Sequence, residues 1–216
     1  DGTGKIENRI KLIKDQSIGD KYWDTNGLNN WARPATLNTE LNTTYLNSLD
    51  STSKSMIGNT KYYLGGKYLT YKNGYAETPL QFYSYERKIQ NTTSNEFYNG
   101  TNPNSWVGKL GLMYLSDYGY ASSNCENKRI YDSNSSSNDI RACNTTNWLF
   151  KSINEWLLPQ FAGFSNDAFF VSSVGGASDY FVNDNQFAVR PVLYLISSAQ
   201  ITGGNGTSSS PYTLGL

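Results

Sequence analysis

Catalysis needs titratable, nucleophilic or metal-ligating side chains in reach of one another, and this 216-residue chain supplies few of them. It has no histidine, which removes Ser-His and Cys-His nucleophilic pairs and the commonest zinc ligand. Cys125 and Cys143 cannot build a structural zinc site by themselves. They bracket a polar segment, Glu126 to Ala142, that includes Ser135-Ser136-Ser137. A disulfide between them is expected, worth about 3 kcal/mol through the loop it closes. Glycoside hydrolysis needs two carboxyl groups across one bond. Glu77, Glu86, Glu96, Glu126 and Glu155 are available, and no spacing singles out a pair. Val182-Asn183-Asp184 offers side-chain oxygens of the kind calcium takes, but calcium wants several oxygens including carboxylates, so a turn is the expected reading. Asn102-Pro103-Asn104 also reads as a turn. No catalytic residue, metal or cofactor is therefore expected.

The strongest chemical anomaly is Arg190, inside the apolar run Gln186-Phe187-Ala188-Val189-Arg190-Pro191-Val192-Leu193-Tyr194-Leu195. A charge in such a strand must be paired or it is costly. Pro191 cannot donate to a ladder, so that point is a strand edge, a bulge or a strand start. Arg190 is expected to be structural, held by a buried carboxylate or by loop carbonyls.

The elements that must position these residues follow from pattern. Arg9 to Ile13 alternates loosely as a strand, and residues 22 to 34 form a loop anchored by Trp23 and Trp31. Thr36 is the expected N-cap of a helix whose stripe is Leu37, Leu41, Tyr45 and Leu49. A second short helix is expected from Asp50 to Ile57. Lys61 to Leu64 reads as a strand, and residues 67 to 105 as loops with one or two short strands, including Gln81 to Tyr85. Ser105 to Leu115 reads as a buried strand, with Ser116 capping a short helix. Glu155 to Leu158 is an apolar patch stopped by Pro159. Ala168 to Val174 and Asp179 to Val182 form a hairpin around Gly175-Gly176. A last short strand is expected at Pro211 to Leu214. With no repeat and no clean linker, one domain over residues 1–216 is expected.

Lys+Arg and Asp+Glu balance at 18 each, which argues against nucleic acid or an anionic membrane as partner. No stretch approaches the roughly 18 apolar residues that span a bilayer. Tyr, Gly, Asn, Ser and Thr are abundant, with 17 Tyr and 19 Gly. That mix suits binding loops and a low-charge extracellular surface. Asp1 is not a natural start, so a fragment or processed form lacking an N-terminal anchoring part is expected.

Three motifs stand in order: Leu115-Ser116-Asp117-Tyr118-Gly119-Tyr120-Ala121-Ser122, the pair Trp148 and Trp156, and Phe187 to Leu193. Their order resembles the C-type-lectin-like fold in its formylglycine-generating-enzyme branch, in which a comparable strand closes the domain. Leu115 stands where that branch has proline, and Ala188-Val189 where it has Gly-Phe. A closer resemblance covers nearly the whole chain. Asn30-Trp31-Ala32-Arg33-Pro34-Ala35-Thr36-Leu37-Asn38, Gly111 to Ala121, Val189 to Leu195, and the tail Ile201 to Leu214 look like the C-terminal domain of prepilin-like surface proteins of gut Firmicutes. The resemblance implies an α+β, C-type-lectin-like domain with short antiparallel strands, one or two short helices and many loops. It also implies an extracellular, cell-surface location.

The expected function is non-enzymatic: surface-displayed recognition or adhesion, on a pilin-like or cell-surface protein. The ligand would be an unidentified protein or glycan on a host or neighbouring cell. The expected ligand-binding face is Asn166, Asp167, Ser173, Asp179, Tyr180, Asn183, Asp184 and Asn185, polar residues alternating with a core of Phe169, Phe170, Phe181 and Phe187. Two other readings compete. One is a structural pilin-type subunit of an extracellular filament, contacting other pilin subunits through the Tyr-rich loops from 62 to 85. The other is a secreted carbohydrate-active hydrolase.

Overall fold

The computed structural model of the chain describes residues 1–67, 78–87, 102–131 and 143–216. Glu77, Glu96, Ser135 to Ser137 and the middle of the Tyr-rich 62–85 stretch lie outside the described residues. The architecture is α+β. The strands are β1 (Lys11–Ile13), β2 (Asp20–Lys21), β3 (Thr60–Tyr63), β4 (Ser105–Gly108), β5 (Leu110–Gly111), β6 (Glu155–Gln160), β7 (Asp167–Val171), β8 (Ala177–Phe181), β9 (Phe187–Ala188), β10 (Val192–Tyr194), β11 (Gln200–Gly203) and β12 (Thr213–Gly215). The helices are α1 (Thr36–Glu40), which runs through a π turn (Leu41–Tyr45) into α2 (Leu46–Ser48), then α3 (Ser51–Met56), α4 (Pro79–Glu86) and α5 (Leu115–Tyr120).

The main sheet has the order β2-β9-β6-β7-β8, and a second sheet the order β1-β10-β5. Pairing is antiparallel in both except between β6 and β9. The apolar run around Arg190 is thus two strands rather than one. β9 belongs to the main sheet and β10 to the second, and Val189-Arg190-Pro191 carries the chain across. The missing N–H of Pro191 falls at this crossing, where no ladder needs it.

β6 and β7 are buried along their whole length. Trp156, Leu158, Ala168 and Phe170 face one apolar core with Trp23, Leu37, Leu41 and Phe187. Leu157, Phe169 and Val171 face a second core with Phe82, Tyr118 and Phe161. The main sheet is therefore the partition between two cores. Cys125 and Cys143 stand at disulfide distance inside the second core, with Cα atoms 4.9 Å apart. Reduction is expected to lower stability by about 3 kcal/mol, read as a shifted denaturant midpoint. Alkylation of both thiols without reductant in intact-mass analysis would contradict the bond.

Several expectations from the sequence are corrected. Four helical segments stand among the described residues, more than the one or two expected. Gln81 to Tyr85 is helical: Pro79 occupies the first turn and the Gln81 side chain accepts from the Thr78 N–H at 2.8 Å, start signals that outweigh β propensity. Ser116 is not a cap, since α5 begins at Leu115 and Asp117 accepts the Tyr114 N–H at 2.8 Å. Nor does Thr36 cap α1; its hydroxyl donates to Asp24 at 2.6 Å. Pro159 does not stop β6, because it sits where the β6–β7 register shifts between Trp156 and Gln160. Asp50 does cap α3, accepting the Ser53 N–H at 2.9 Å.

Candidate functional site

The face expected from alternation is divided by the structure. Asn183, Asp184 and Asn185 are exposed together in the turn after β8, and Ser173 is exposed in the β7–β8 turn. Gly175 shapes that second turn with φ +93°, a region glycine enters without penalty. Asn166, Asp179 and Tyr180 are half-buried. Asp167 is buried, contrary to expectation, and Phe181 is 46 % exposed rather than core. The reason is that alternation separates core from surface only when one face of a strand meets water. Both faces of β7 are covered, so Asp167 shares a core-facing side with Phe169. At the edge strand β8, Val182 and Tyr180 turn inward and Phe181 outward.

Asp167 and Asp179 lie diagonally across β7 and β8. Burial raises Asp167 to about 6, and the neighbouring Asp179 adds to the rise. Asp179 is also raised by burial, opposed by a hydrogen bond from the Tyr131 hydroxyl. Each of two neighbouring buried carboxyl groups disfavours ionisation of the other.

Arg190 is buried and forks onto Glu155, Nε to Oε1 at 2.8 Å and Nη2 to Oε2 at 2.7 Å, while Nη2 also donates to the Leu149 carbonyl at 2.6 Å. Burial pushes the Glu155 carboxyl up and the guanidinium pulls against it. The pair ties the sheet crossing to β6 and to the Leu149 loop. It leaves no group turned toward solvent for chemistry.

A concave site lies elsewhere, in a groove of about 510 Å³ between β1, α5 and Trp148. That size suits a small ligand. Leu12 and Ile13 form one wall, Ser116, Asp117, Tyr120 and Ala121 another, and Met113 and Val192 also line it. Tyr83 projects into it from α4. α4 and α5 pack closely because Gly119 has no Cβ; one there would collide with the Pro79 ring. Trp148 is 64 % exposed, Tyr83 46 % and Tyr120 45 %. Large aromatic side chains this open to water, gathered round one hollow, offer apolar faces to a ligand. The polar part of the rim is an ion pair between Lys11 and Asp117. Reading the sequence alone misses this groove, because residues 11–13, 83, 113–121, 148 and 192 meet only through the fold. The exposed Trp148 beside the buried Asn147 is the one local hint.

Compared with protein-family models, curated protein sequences and solved structures, the chain matches none. No helix among the described residues is long and apolar enough to cross a membrane, and no described group of three or more acidic or cysteine side chains is placed to hold a metal ion.

Proposed function

We propose that this is a non-enzymatic, surface-displayed recognition domain of C-type-lectin-like type that binds a saccharide in the groove between β1, α5 and Trp148. The observation that carries the proposal is the set of exposed aromatic side chains, Tyr83, Tyr120 and Trp148, around one hollow with the Lys11–Asp117 pair on its rim. One face of a sugar ring presents C–H groups, which stack against the electron-rich face of an aromatic ring. Its hydroxyls need donors and acceptors, and an ammonium beside a carboxylate supplies both. Asp117 is the single carboxylate lining the groove among the described residues, whereas hydrolysis of a glycosidic bond uses two. The lectin-like reading draws support from the pairing of β9 and β10 with β2 and β1, since it expects residues 187–195 to close the domain. The cell-surface location rests on the resemblance to prepilin-like proteins.

Immobilised-glycan binding by the wild type and by a Trp148→Ala/Tyr120→Ala variant tests the proposal. These side chains are exposed, so each change should alter stability by no more than about 0.5 kcal/mol, and binding should fall at least about tenfold. A variant with Asn183, Asp184 and Asn185 replaced by Ala is the control. Loss of binding there, with the groove variant unaffected, would move recognition to the 183–185 turn. Binding of peptides but no glycan would replace the saccharide reading.

A further inference from the structure

Beside the groove lies a second hollow of about 210 Å³, between the N-terminal arm, β3 and Tyr114. Its charge is unbalanced. Lys5, Arg9, Lys61 and Arg87 line it against the carboxylates of Asp1 and Glu7. Glu7 is already taken by Arg9, and the Asp1 carboxylate accepts the N–H groups of Thr3 and Lys5 at 3.0 and 2.9 Å. Arg87 is the unusual member. Its guanidinium lies over the rings of Tyr114 and Tyr83, 4.2 and 4.7 Å from their centres. Its Nη1 is buried with no hydrogen-bond partner among the described residues. The closest described carboxylate oxygen, Glu86 Oε2, is 4.0 Å away. That carboxyl is occupied by the Ser116 N–H at 3.0 Å and by the Ser116 hydroxyl, and burial pushes it up to about 7. An arginine stacked on aromatic rings with an unpartnered donor is an arrangement suited to carboxylate, sulfate or phosphate oxygens.

The two hollows adjoin. Tyr83, on which Arg87 rests, is a groove wall, and Lys11 links the Tyr114 ring to Asp117. We infer that the groove and the cationic hollow form one site for an acidic saccharide. The sugar ring would lie on the aromatic groove and its carboxylate or sulfate would meet Arg87 and Lys61. This deepens the saccharide reading and rests on it for the ring half. The anion half stands on Arg87 itself.

Titration calorimetry with galactose, galacturonate and galactose 6-sulfate compares a neutral ring with its two acidic counterparts. NMR observation of the Arg87 Nε–H during titration with inorganic sulfate probes the anion half alone. The acidic sugars are expected to bind at least about tenfold tighter than galactose at low salt. Arg87→Gln should erase that preference, bringing the acidic sugars to the level of galactose, and Trp148→Ala should weaken all three. If Arg87→Gln fails to fold, Lys61→Met, at a side chain on the pocket rim, carries the same comparison. The carboxylate and sulfate arms separate the two sources of charge. Equal binding of galactose and both acidic sugars, with no response of Arg87 to sulfate, overturns the inference and leaves the saccharide groove standing. An Arg87 response to sulfate with no sugar bound keeps the anion site and overturns its union with a sugar groove.

Discussion

Arg190→Ala is expected to lower stability by about 3–5 kcal/mol, because it strands Glu155 as an unpaired carboxylate in the interior. Glu155 is as buried as Arg190, and the guanidinium meets both of its oxygens. Replacing both, as Arg190→Met with Glu155→Gln, should recover part of the loss, since no charge is then left without its partner. Chemical denaturation of the three proteins checks this. A single variant as stable as the wild type would show that the fork contributes nothing to the fold. A double variant no better than the single would assign the loss to packing and to the Leu149 carbonyl bond rather than to the stranded charge.

Stability is also expected to fall as the pH rises from about 5 to about 8. Burial raises the Glu86 carboxyl from 4.5 to about 7, with hydrogen bonds from Ser116 opposing it. A carboxyl raised in the folded state binds its proton more tightly there than in the unfolded chain. Its stabilising contribution is complete below the unfolded value and is lost as pH climbs through the folded one. For Glu86 the loss is roughly 3 kcal/mol at 1.36 kcal/mol per unit. Asp167, raised to about 6 from 3.8, adds a loss of the same sign in the lower part of the window. Melting temperature against pH should therefore slope downward. Glu86→Gln should flatten the upper part of the curve and be the more stable protein at pH 8, since an amide keeps one acceptor for Ser116 without a charge. An unchanged slope in Glu86→Gln would remove Glu86 as its origin.

Much of the fold can be read from local signals that act within a few residues. Gly175-Gly176 turns the β7–β8 hairpin, Asp50 caps α3, and the spacing of Leu37 and Leu41 places both in the core. Arg190 announces itself because a guanidinium in an apolar run needs a partner, although its sequence does not say that the partner is Glu155. What stays hidden depends on what lies across a strand. The composition of β7 is the same whether one face or two are covered, so Asp167 looks like a surface residue and is buried. Phe181 looks like core and is exposed at the end of an edge strand. The groove is hidden for a different reason: its aromatic side chains come from α4, α5 and the segment after Cys143, and no window of sequence contains them together.

The pairing of β1 with β10 and of β2 with β9 has a consequence for biosynthesis. Lys11 has Tyr194 as its cross-strand neighbour, and Asp20 has Ala188. Strands β1 and β2 therefore have no partners among the described strands until residues 187–194 have been translated. Pairing of these strands must be late and slow, since loop-closure entropy is spent before such distant pairs return any stabilisation. During that delay β6 and β7, apolar on both faces, are the segments most open to aggregation. A chain cut before residue 187 would lack the strands that join both sheets, and it should accumulate as an insoluble product rather than as a smaller folded one.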